Sequence, residues 1–381
     1  MRKPADFNLG DSARIVSSYP VKAAHFLLTP ELACSPPNEA IVSALLSLGY
    51  EVDLFAPGGP FSTTCYDSRV ATHPVEYGKR WLLKNAWSSR WRKYGVISGT
   101  SEDPLAVAGV ISCIHRRPFF ALADEIKSGS YAGDAPESWK RLCRWAMRRA
   151  QFCVVNDVSR IRLQREYAHI SPDRDILVYP ACFRETPSPS DRGRLRKEWG
   201  IPEDALLLAA SGGFNLTAGA DWLVHAVQRD CSLYAAVQPL NLDPFSRFLL
   251  AHVQGHERIH VAERQLAWRE AWASAAAFDI GMAVYRNPAP QFQNMGISSN
   301  RLCMFLAMGV PVIGNRQPSF KFIEDYDCGV LVDSREEFVA AVQIIRKRLR
   351  EMKANALRCA REYIDAPARY EQLLRAIARL T

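Results

Sequence analysis

Short apolar segments alternate with helical segments along this chain, and this alternation is the strongest constraint on its fold. Strand-like segments in the first half are residues 24–28, 51–56, 95–99, 119–123, 152–156 and 176–180. Between the first two, residues 38–49 (NEAIVSALLSLG) have helical spacing and end at a glycine. Because parallel strands need crossover connections and are covered on both faces, the pattern predicts an α/β fold with parallel, Rossmann-like sheets.

The alternation occurs twice, with a linker between the two occurrences. The linker ETPSPSDRGR (185–194) is rich in Pro, Ser and charge, and strand-like segments resume at LLLAASGG (206–213). A chain of 381 residues also exceeds the ~250 residues that one core usually serves. We therefore predict an N-terminal domain at 1–187, a C-terminal domain at 188–364, and a helix at 365–381 that crosses back to the N-terminal domain. Ligands of such folds bind where the strands end, here in the cleft between the domains.

The composition restricts location and partners. The formal charge of +8 suits an anionic partner: a nucleotide, a phospholipid surface or a nucleic acid. The ten cysteines form no CxxC pair, which indicates reduced thiols and a cytoplasmic protein, with the inner face of the plasma membrane as an optional contact. The start has no apolar signal region, and no apolar run approaches the ~20 residues of a membrane span.

The stretch SSNRLCMFLAMGVPVIGN (298–315) combines a polar helix start with a buried strand. Ser298 or Ser299 can cap the helix, whose free N–H groups favour an anion. Arg301, in the first turn, can make a bidentate phosphate contact. The residues alone leave two readings open, an anion site or an ordinary capped helix with a surface arginine.

Several segments together resemble the GT-B glycosyltransferases, in particular the family-4-like enzymes that use nucleotide sugars. They are LAMGVPVIGN (306–315), FIEDYDCGVLV (322–332), AFDIGMAVY (277–285), LLLAASGGFNLTAGADWLVHAV, and NDVSRIRLQREY with DILVYPACF. The resemblance covers about residues 95–365. It implies two Rossmann-like domains facing each other across a cleft, with the donor bound by the C-terminal domain.

The resemblance implies a set of donor residues. Gly212 and Gly213 would let backbone N–H groups approach the diphosphate of a UDP- or GDP-sugar, and Arg301 would face it from the helix start. The other implied donor residues are Phe214, Asn215, Glu263, Tyr285, Ser298, Ser299 and Asn300. We expect no metal, because the helix dipole and Arg301 would neutralise the diphosphate.

The sequence departs from this family at two positions. Many relatives carry two glutamates eight positions apart, which hold the sugar and the ribose; here those positions are Gly296 and Met304. The loop after Gly212 also lacks Arg and Lys. Donor identity and stereochemistry therefore stay open, and so do two alternatives: a GT-B nucleotide-sugar epimerase and a degenerate, non-catalytic binding module.

Glycosyl transfer also needs an acceptor side, and a carboxylate or histidine if the reaction inverts. Asp103 follows one predicted strand, and Asp124 and Glu125 follow another, so these three are the candidate catalytic residues. The alternative is that they are ordinary helix caps or solvated loop carboxylates.

The stretch KRWLLKNAWSSRWRKYG (79–95) holds six Lys/Arg, three Trp and no acid. This mixture suits an anionic membrane surface and a lipid-linked acceptor. The candidate contacts are Trp81, Lys84, Trp87, Arg90, Trp91 and Arg92. The alternatives are a basic helix that packs its tryptophans on the core, and single-stranded nucleic acid. We expect no nucleic-acid partner, because no RNP, KH or zinc-finger pattern accompanies the stretch.

These observations predict a glycosyltransferase that moves a sugar from a nucleotide-diphosphate sugar to a glycan or lipid-linked acceptor. Bacterial polysaccharide or glycoconjugate biosynthesis is the setting that we expect for this reaction.

Overall fold

Two parallel β-sheets, each covered by helices, make up the computed structural model of the protein. It describes residues 21–29, 35–58, 67–124, 136–239, 244–262, 264 and 266–380. We call the part built on the first sheet the N-domain and the part built on the second sheet the C-domain. The predicted α/β class, with two Rossmann-like domains, is confirmed.

The N-domain sheet has seven strands in the order β3-β2-β1-β4-β5-β6-β7, all parallel. Its strands are β1 (Lys22–Phe26), β2 (Glu51–Ala56), β3 (Val70–Pro74), β4 (Tyr94–Thr100), β5 (Phe119–Ala123), β6 (Cys153–Val155) and β7 (Ile176–Val178). Its helices are α1 (Pro36–Ser47), α2 (Lys79–Asn85), α3 (Glu102–His115), α4 (Glu137–Arg149) and α5 (Ser159–Ala168).

The C-domain sheet has six parallel strands in the order β10-β9-β8-β11-β12-β13. The strands are β8 (Leu206–Gly212), β9 (Leu233–Pro239), β10 (Ile259–Val261), β11 (Ile280–Ala283), β12 (Val312–Asn315) and β13 (Gly329–Val332). The helices that follow α5 are α6 (Arg192–Glu198), α7 (Ala220–Arg229), α8 (Pro244–Val253), α9 (Trp268–Ser274), α10 (Pro290–Gln293), α11 (Asn300–Ala307), α12 (Lys321–Asp325), α13 (Arg335–Cys359) and α14 (Ala366–Ala378).

The predicted strands are present, and one strand was missed. That strand, β3 with the sequence VATHP, lies at the edge of the N-domain sheet and is largely solvated. Without an apolar run, it lacks the signal that revealed the buried strands. The predicted helix at 38–49 is α1, which begins two residues earlier with prolines in its first turn.

The last helix returns to the first sheet. Tyr370, Leu373 and Ile377 of α14 are buried in the same core cluster as Ile41 and Leu45 of α1. The chain therefore leaves the C-domain through the long helix α13 and ends against the N-domain. The predicted domain boundaries themselves stay a prediction.

In each sheet the strand order reverses beside the first strand of its domain. The N-domain changes direction between β1 and β4, and the C-domain between β8 and β11. Crevices form at such switch points, at the carboxyl ends of the strands. Within the described residues, no helix is both long enough and apolar enough to cross a membrane.

Candidate functional site

The loop after β8 and the first turn of α11 face each other in the C-domain. Gly212 has a φ of +96°, and a Cβ placed on it would lie 3.1 Å from Nη2 of Arg301. A side chain at position 212 would therefore be strained and would press on the guanidinium. Sequence reasoning had paired these two residues, and the structure brings them together.

The Arg301 guanidinium lies against an aromatic ring and keeps unused hydrogen-bonding capacity. Its central carbon is 5.1 Å from the centroid of the Tyr285 ring. Its Nη1 atom is buried and has no hydrogen-bond partner among the described residues. Because an unpaired buried donor costs free energy, this arrangement is typical of an anion-binding site.

Ser299 holds the start of α11 in place. Its hydroxyl oxygen accepts the Leu302 N–H at 3.1 Å and lies 2.5 Å from the Tyr285 hydroxyl. The backbone N–H of Tyr285 in turn donates to Oδ1 of Asn315 at 2.7 Å. Ser299 is 0% exposed and is the N-cap of α11, so the prediction that Ser298 or Ser299 caps this helix is confirmed, whereas the predicted place of Ser299 at the diphosphate stays a prediction.

Two of the predicted donor residues in the glycine loop have structural roles. The ring of Phe214 is 1% exposed and packs in the C-domain core, so only its backbone can face a ligand. Asn215 caps the short 3-10 turn Leu216–Ala218, since its Oδ1 accepts from the Ala218 N–H at 2.9 Å. Glu263, the remaining predicted donor residue, and Glu125 lie outside the described residues.

A cavity of about 200 Å³ lies between the two domains. Its N-domain wall includes Ser35, Pro37, Asp124, Asn156, Arg160 and Ala181, and its C-domain wall includes Phe292, Met295, Ser298 and Asn300. Three predicted site residues, Asp124, Ser298 and Asn300, therefore meet in one space although they come from different domains.

Asp124 follows β5 at the cavity. The Ser101 hydroxyl donates to Oδ1 of Asp124, and the Asp124 carbonyl accepts from Nη1 of Arg160 at 2.7 Å. These bonds orient a half-buried carboxylate toward the cleft, where it can accept a proton. Asp103, in the first turn of α3, does not line this cavity.

Asn156 and Arg160 were missed by sequence reasoning. Both follow β6 in the run NDVSR, and a polar run directly after a buried strand was the available signal. Asn156 is 6% exposed, and its Oδ1 is buried without a hydrogen-bond partner among the described residues. Arg160 is 2% exposed and also donates to the carbonyls of Gln291 at 3.1 Å and Asn294 at 3.2 Å.

No residue of the basic-aromatic stretch, all of which the structure describes, lines this cavity. After α2 the stretch forms a 3-10 turn, Ser89–Lys93, that leads into the amino end of β4, whereas the cavity lies at the carboxyl ends of the strands. Trp91 is 0% exposed and packs on Phe26 and Phe55, so its predicted membrane or acceptor contact is wrong. Trp81 is half-buried and packs edge-on against Trp91.

The other candidate contacts of this stretch are exposed. Trp87 and Leu83 are each 74% exposed, and Arg90 lies over the outer side of the Trp91 ring at 4.4 Å. Lys84 and Arg92 are also exposed. The prediction that tryptophans pack on the core thus holds for part of the stretch, and an apolar, basic surface remains.

The comparisons with known proteins identify the fold. No family model and no curated protein matches the chain. Sucrose-phosphate synthase from Thermosynechococcus elongatus superposes with a TM-score of 0.71 at 13% identity, over 94% of this chain and 99% of that one. Anabaena HepE in complex with UDP-glucose gives 0.72 at 14% identity, over 94% and 99%.

An epimerase structure matches as well. A putative UDP-N-acetylglucosamine 2-epimerase from Listeria monocytogenes gives a TM-score of 0.58 at 14% identity, over 94% of this chain and 96% of that one. The predicted fold is confirmed: this chain has the GT-B fold, two Rossmann-like domains that face each other across a cleft.

Proposed function

We propose that the protein is a glycosyltransferase that takes a sugar from a nucleotide-diphosphate sugar. The observation that carries this proposal is the Arg301 guanidinium, which lies between Gly212 and Tyr285 and whose buried Nη1 has no hydrogen-bond partner in the described part of the chain. A diphosphate offers the charge and the oxygen spacing that such a group binds. HepE, which shares the fold, was solved with UDP-glucose.

In the proposed reaction, the C-domain stabilises the leaving diphosphate. Arg301 and the amino end of α11 supply positive charge where negative charge develops, so no metal ion is required for this step. Asp124, across the cavity, accepts the proton of the attacking acceptor hydroxyl if the reaction inverts. The acceptor is a glycan or a lipid-linked sugar, in bacterial polysaccharide or glycoconjugate biosynthesis.

An anionic membrane surface is part of the same proposal. The exposed Leu83 and Trp87, surrounded by basic side chains, suit the boundary between headgroups and acyl chains. A lipid-linked acceptor would then be presented to a protein bound to the inner face of the plasma membrane.

Calorimetric titration with UDP, GDP and their sugars in EDTA tests the donor site. We expect one nucleotide to bind, and Arg301→Ala to weaken it by about 1.5–3 kcal/mol, the value of a charged hydrogen bond. Arg162→Ala is the matched control, because the Arg162 side chain is 81% exposed and, among the described residues, its ion pair is with Glu166 on the same helix. Asp124→Asn should keep nucleotide binding and lose transfer.

Three other outcomes would contradict the proposal. Tight binding that is unchanged in Arg301→Ala would remove Arg301 from the donor site. Product formed from the nucleotide sugar alone would support the epimerase alternative, which the Listeria structure favours. Absence of binding by every nucleotide would support a degenerate module, the alternative suggested by Gly296 and by Met304, which is 0% exposed in the core.

A further inference from the structure

Asp157, next to Asn156, places its carboxylate in the C-domain. Its Oδ2 accepts the backbone N–H of Ile297 at 2.8 Å, although the two residues are 140 positions apart. A Cβ placed on Gly296 would lie 1.9 Å from the same oxygen and 2.3 Å from the carboxyl carbon. The carboxylate therefore fills the space that any side chain at position 296 would need.

The Asp157 carboxylate is held firmly in this space. Asp157 is 1% exposed, and its Oδ1 accepts the Ser159 N–H at 2.8 Å and the Ser159 hydroxyl at 2.5 Å. Burial, the largest effect, raises the pKa of Asp157 above its ordinary value, although these hydrogen bonds lower it. Because the carboxylate is buried and bonded, it cannot give way cheaply to a larger residue at position 296.

Both backbone polar groups of Ile297, its N–H and its carbonyl, form hydrogen bonds with the part of the chain that precedes the linker. Its N–H donates to Asp157, and its carbonyl accepts the Ala181 N–H at 2.9 Å. Ile297 belongs to the 3-10 turn Gly296–Ser298, which leads directly into α11. The 3-10 turn that leads into the Arg301 helix is thus attached to the N-domain.

The neighbours of the two bonded residues form the interdomain cavity. Asn156 precedes Asp157 and lines it from the N-domain, and Ser298 follows Ile297 and lines it from the C-domain. We propose that Asp157 is a positioning residue: its carboxylate, seated in the space at Gly296, joins the two domains and brings the cavity walls together. We call this the Asp157–Gly296 contact. Its effect on turnover rests on the proposed function, whereas its effect on domain position does not.

The test measures the distance between the domains by double electron–electron resonance. Among the described cysteines, only Cys113 and Cys231 are exposed, one in each domain. Spin labels are attached there, with Cys34 and Cys65, which lie outside the described residues, replaced by serine. We expect one narrow distance distribution, and an additional population of longer distances in both Asp157→Ala and Gly296→Ala.

Two controls separate this contact from local effects. Ser159→Ala removes a hydrogen bond to Asp157 inside the N-domain, and Asp173→Ala removes an exposed aspartate that also accepts a serine hydroxyl. Both should keep the narrow distribution. The same longer population in Ser159→Ala, or an unchanged distribution in Asp157→Ala, would overturn the inference.

A double variant tests whether the Asp157 carboxylate and a side chain at position 296 compete for the same space. In an Asp157→Gly background, Gly296→Ala has room and should add no further population of longer distances. If Gly296→Ala has the same effect in both backgrounds, the cause is its positive φ of 44° rather than the carboxylate, and the inference fails.

Kinetics link the contact to the reaction. Since the donor residues belong to the C-domain, Asp157→Ala should bind the nucleotide that the wild type prefers, UDP or GDP, within about twofold of the wild type, while kcat falls about tenfold to a hundredfold. Loss of nucleotide affinity with unchanged kcat would contradict a positioning role. If the wild type binds neither UDP nor GDP, the proposed function fails while the distance measurement still decides the contact.

Discussion

At the scale of single residues, buried polar groups near the cleft are arranged with defined donors and acceptors. His25 of β1 is 0% exposed; its Nε2 lies 3.0 Å from Oδ1 of Asn38 and its Nδ1 lies 2.8 Å from the Ser98 hydroxyl. Oδ1 can only accept, so Nε2 carries a proton, and in the neutral ring Nδ1 then accepts from Ser98. Thr100 donates to the same Oδ1 at 2.6 Å. The network therefore satisfies both ring nitrogens of a neutral histidine.

Burial lowers the pKa of His25 to about 4, from an ordinary value of 6.5. The unfolded chain binds this proton more readily, so the stabilising effect is present above pH 6.5 and is lost as the pH falls toward 4. The His25→Gln variant lacks the titrating group. The difference in the free energy of unfolding between the wild type and this variant should therefore shrink by about 2 kcal/mol from pH 7 to pH 5. Urea unfolding at both pH values measures this difference, and a constant difference would contradict the prediction.

At the scale of elements, buried ion pairs attach surface segments to the sheets. Asp53 of β2 is 2% exposed and contacts Lys93 at 3.1 Å and the Tyr94 hydroxyl at 2.6 Å. Burial opposes ionisation of Asp53, but the polar groups of His73, Tyr94 and Lys93 that contact its carboxylate outweigh burial and lower the pKa of Asp53. The basic-aromatic stretch is thus fastened at its end, while Leu83 and Trp87 stay exposed.

The exposed side chains of the basic-aromatic stretch lead to a prediction about membrane binding. Replacing both exposed side chains, Leu83→Ser with Trp87→Ser, should reduce binding to phosphatidylglycerol-containing vesicles, because each removes apolar area from the interface. Vesicle flotation at low and high salt measures the binding. Ile344→Ser with Leu357→Ser is the matched control, since these exposed side chains lie on α13 of the other domain. Equal losses in both pairs would show that the stretch is not the membrane contact.

At the scale of the whole molecule, α14 connects the end of the chain to its beginning. Besides its apolar contacts, Tyr370 lies within hydrogen-bond distance of Ser47 of α1, 3.2 Å between the hydroxyl oxygens. The chain therefore passes between the domains twice, first through the linker after β7 and again between α13 and α14, which packs on the N-domain.

Because α14 packs on the N-domain core, substitutions at its buried residues should lower the stability of the protein. Leu373 is 2% exposed, so Leu373→Ala should lower the free energy of unfolding by about 2–5 kcal/mol. Leu357→Ala, at a side chain that is 40% exposed, should cost less than about 1 kcal/mol. Urea unfolding of both variants checks this difference. Equal costs would mean that the α14 contact contributes little to stability.

Much of the fold could be predicted from local pattern. Buried parallel strands such as β5 and β8 are almost entirely apolar, so their sequences reveal them. Gly212, Ser299 and Arg301 could be proposed as donor residues because glycine loops and helix starts have local signatures. The edge strand β3 was missed because its exposed residues need no apolar pattern. Trp91 was misassigned because composition does not show which face of a basic stretch packs inward.

The sequence by itself determined the α/β class, the GT-B resemblance and the helix start that carries Arg301, because these depend on periodicity and on residues close together in the chain. Only the tertiary structure decided that Asp124 and Asn156 line a cavity with Ser298, and that the carboxylate of Asp157 takes the space beside Gly296. These pairs are separated by more than a hundred positions and belong to different domains. The physical reason is that steric exclusion and hydrogen bonding act through space, and packing of the two sheets is what brings such groups together.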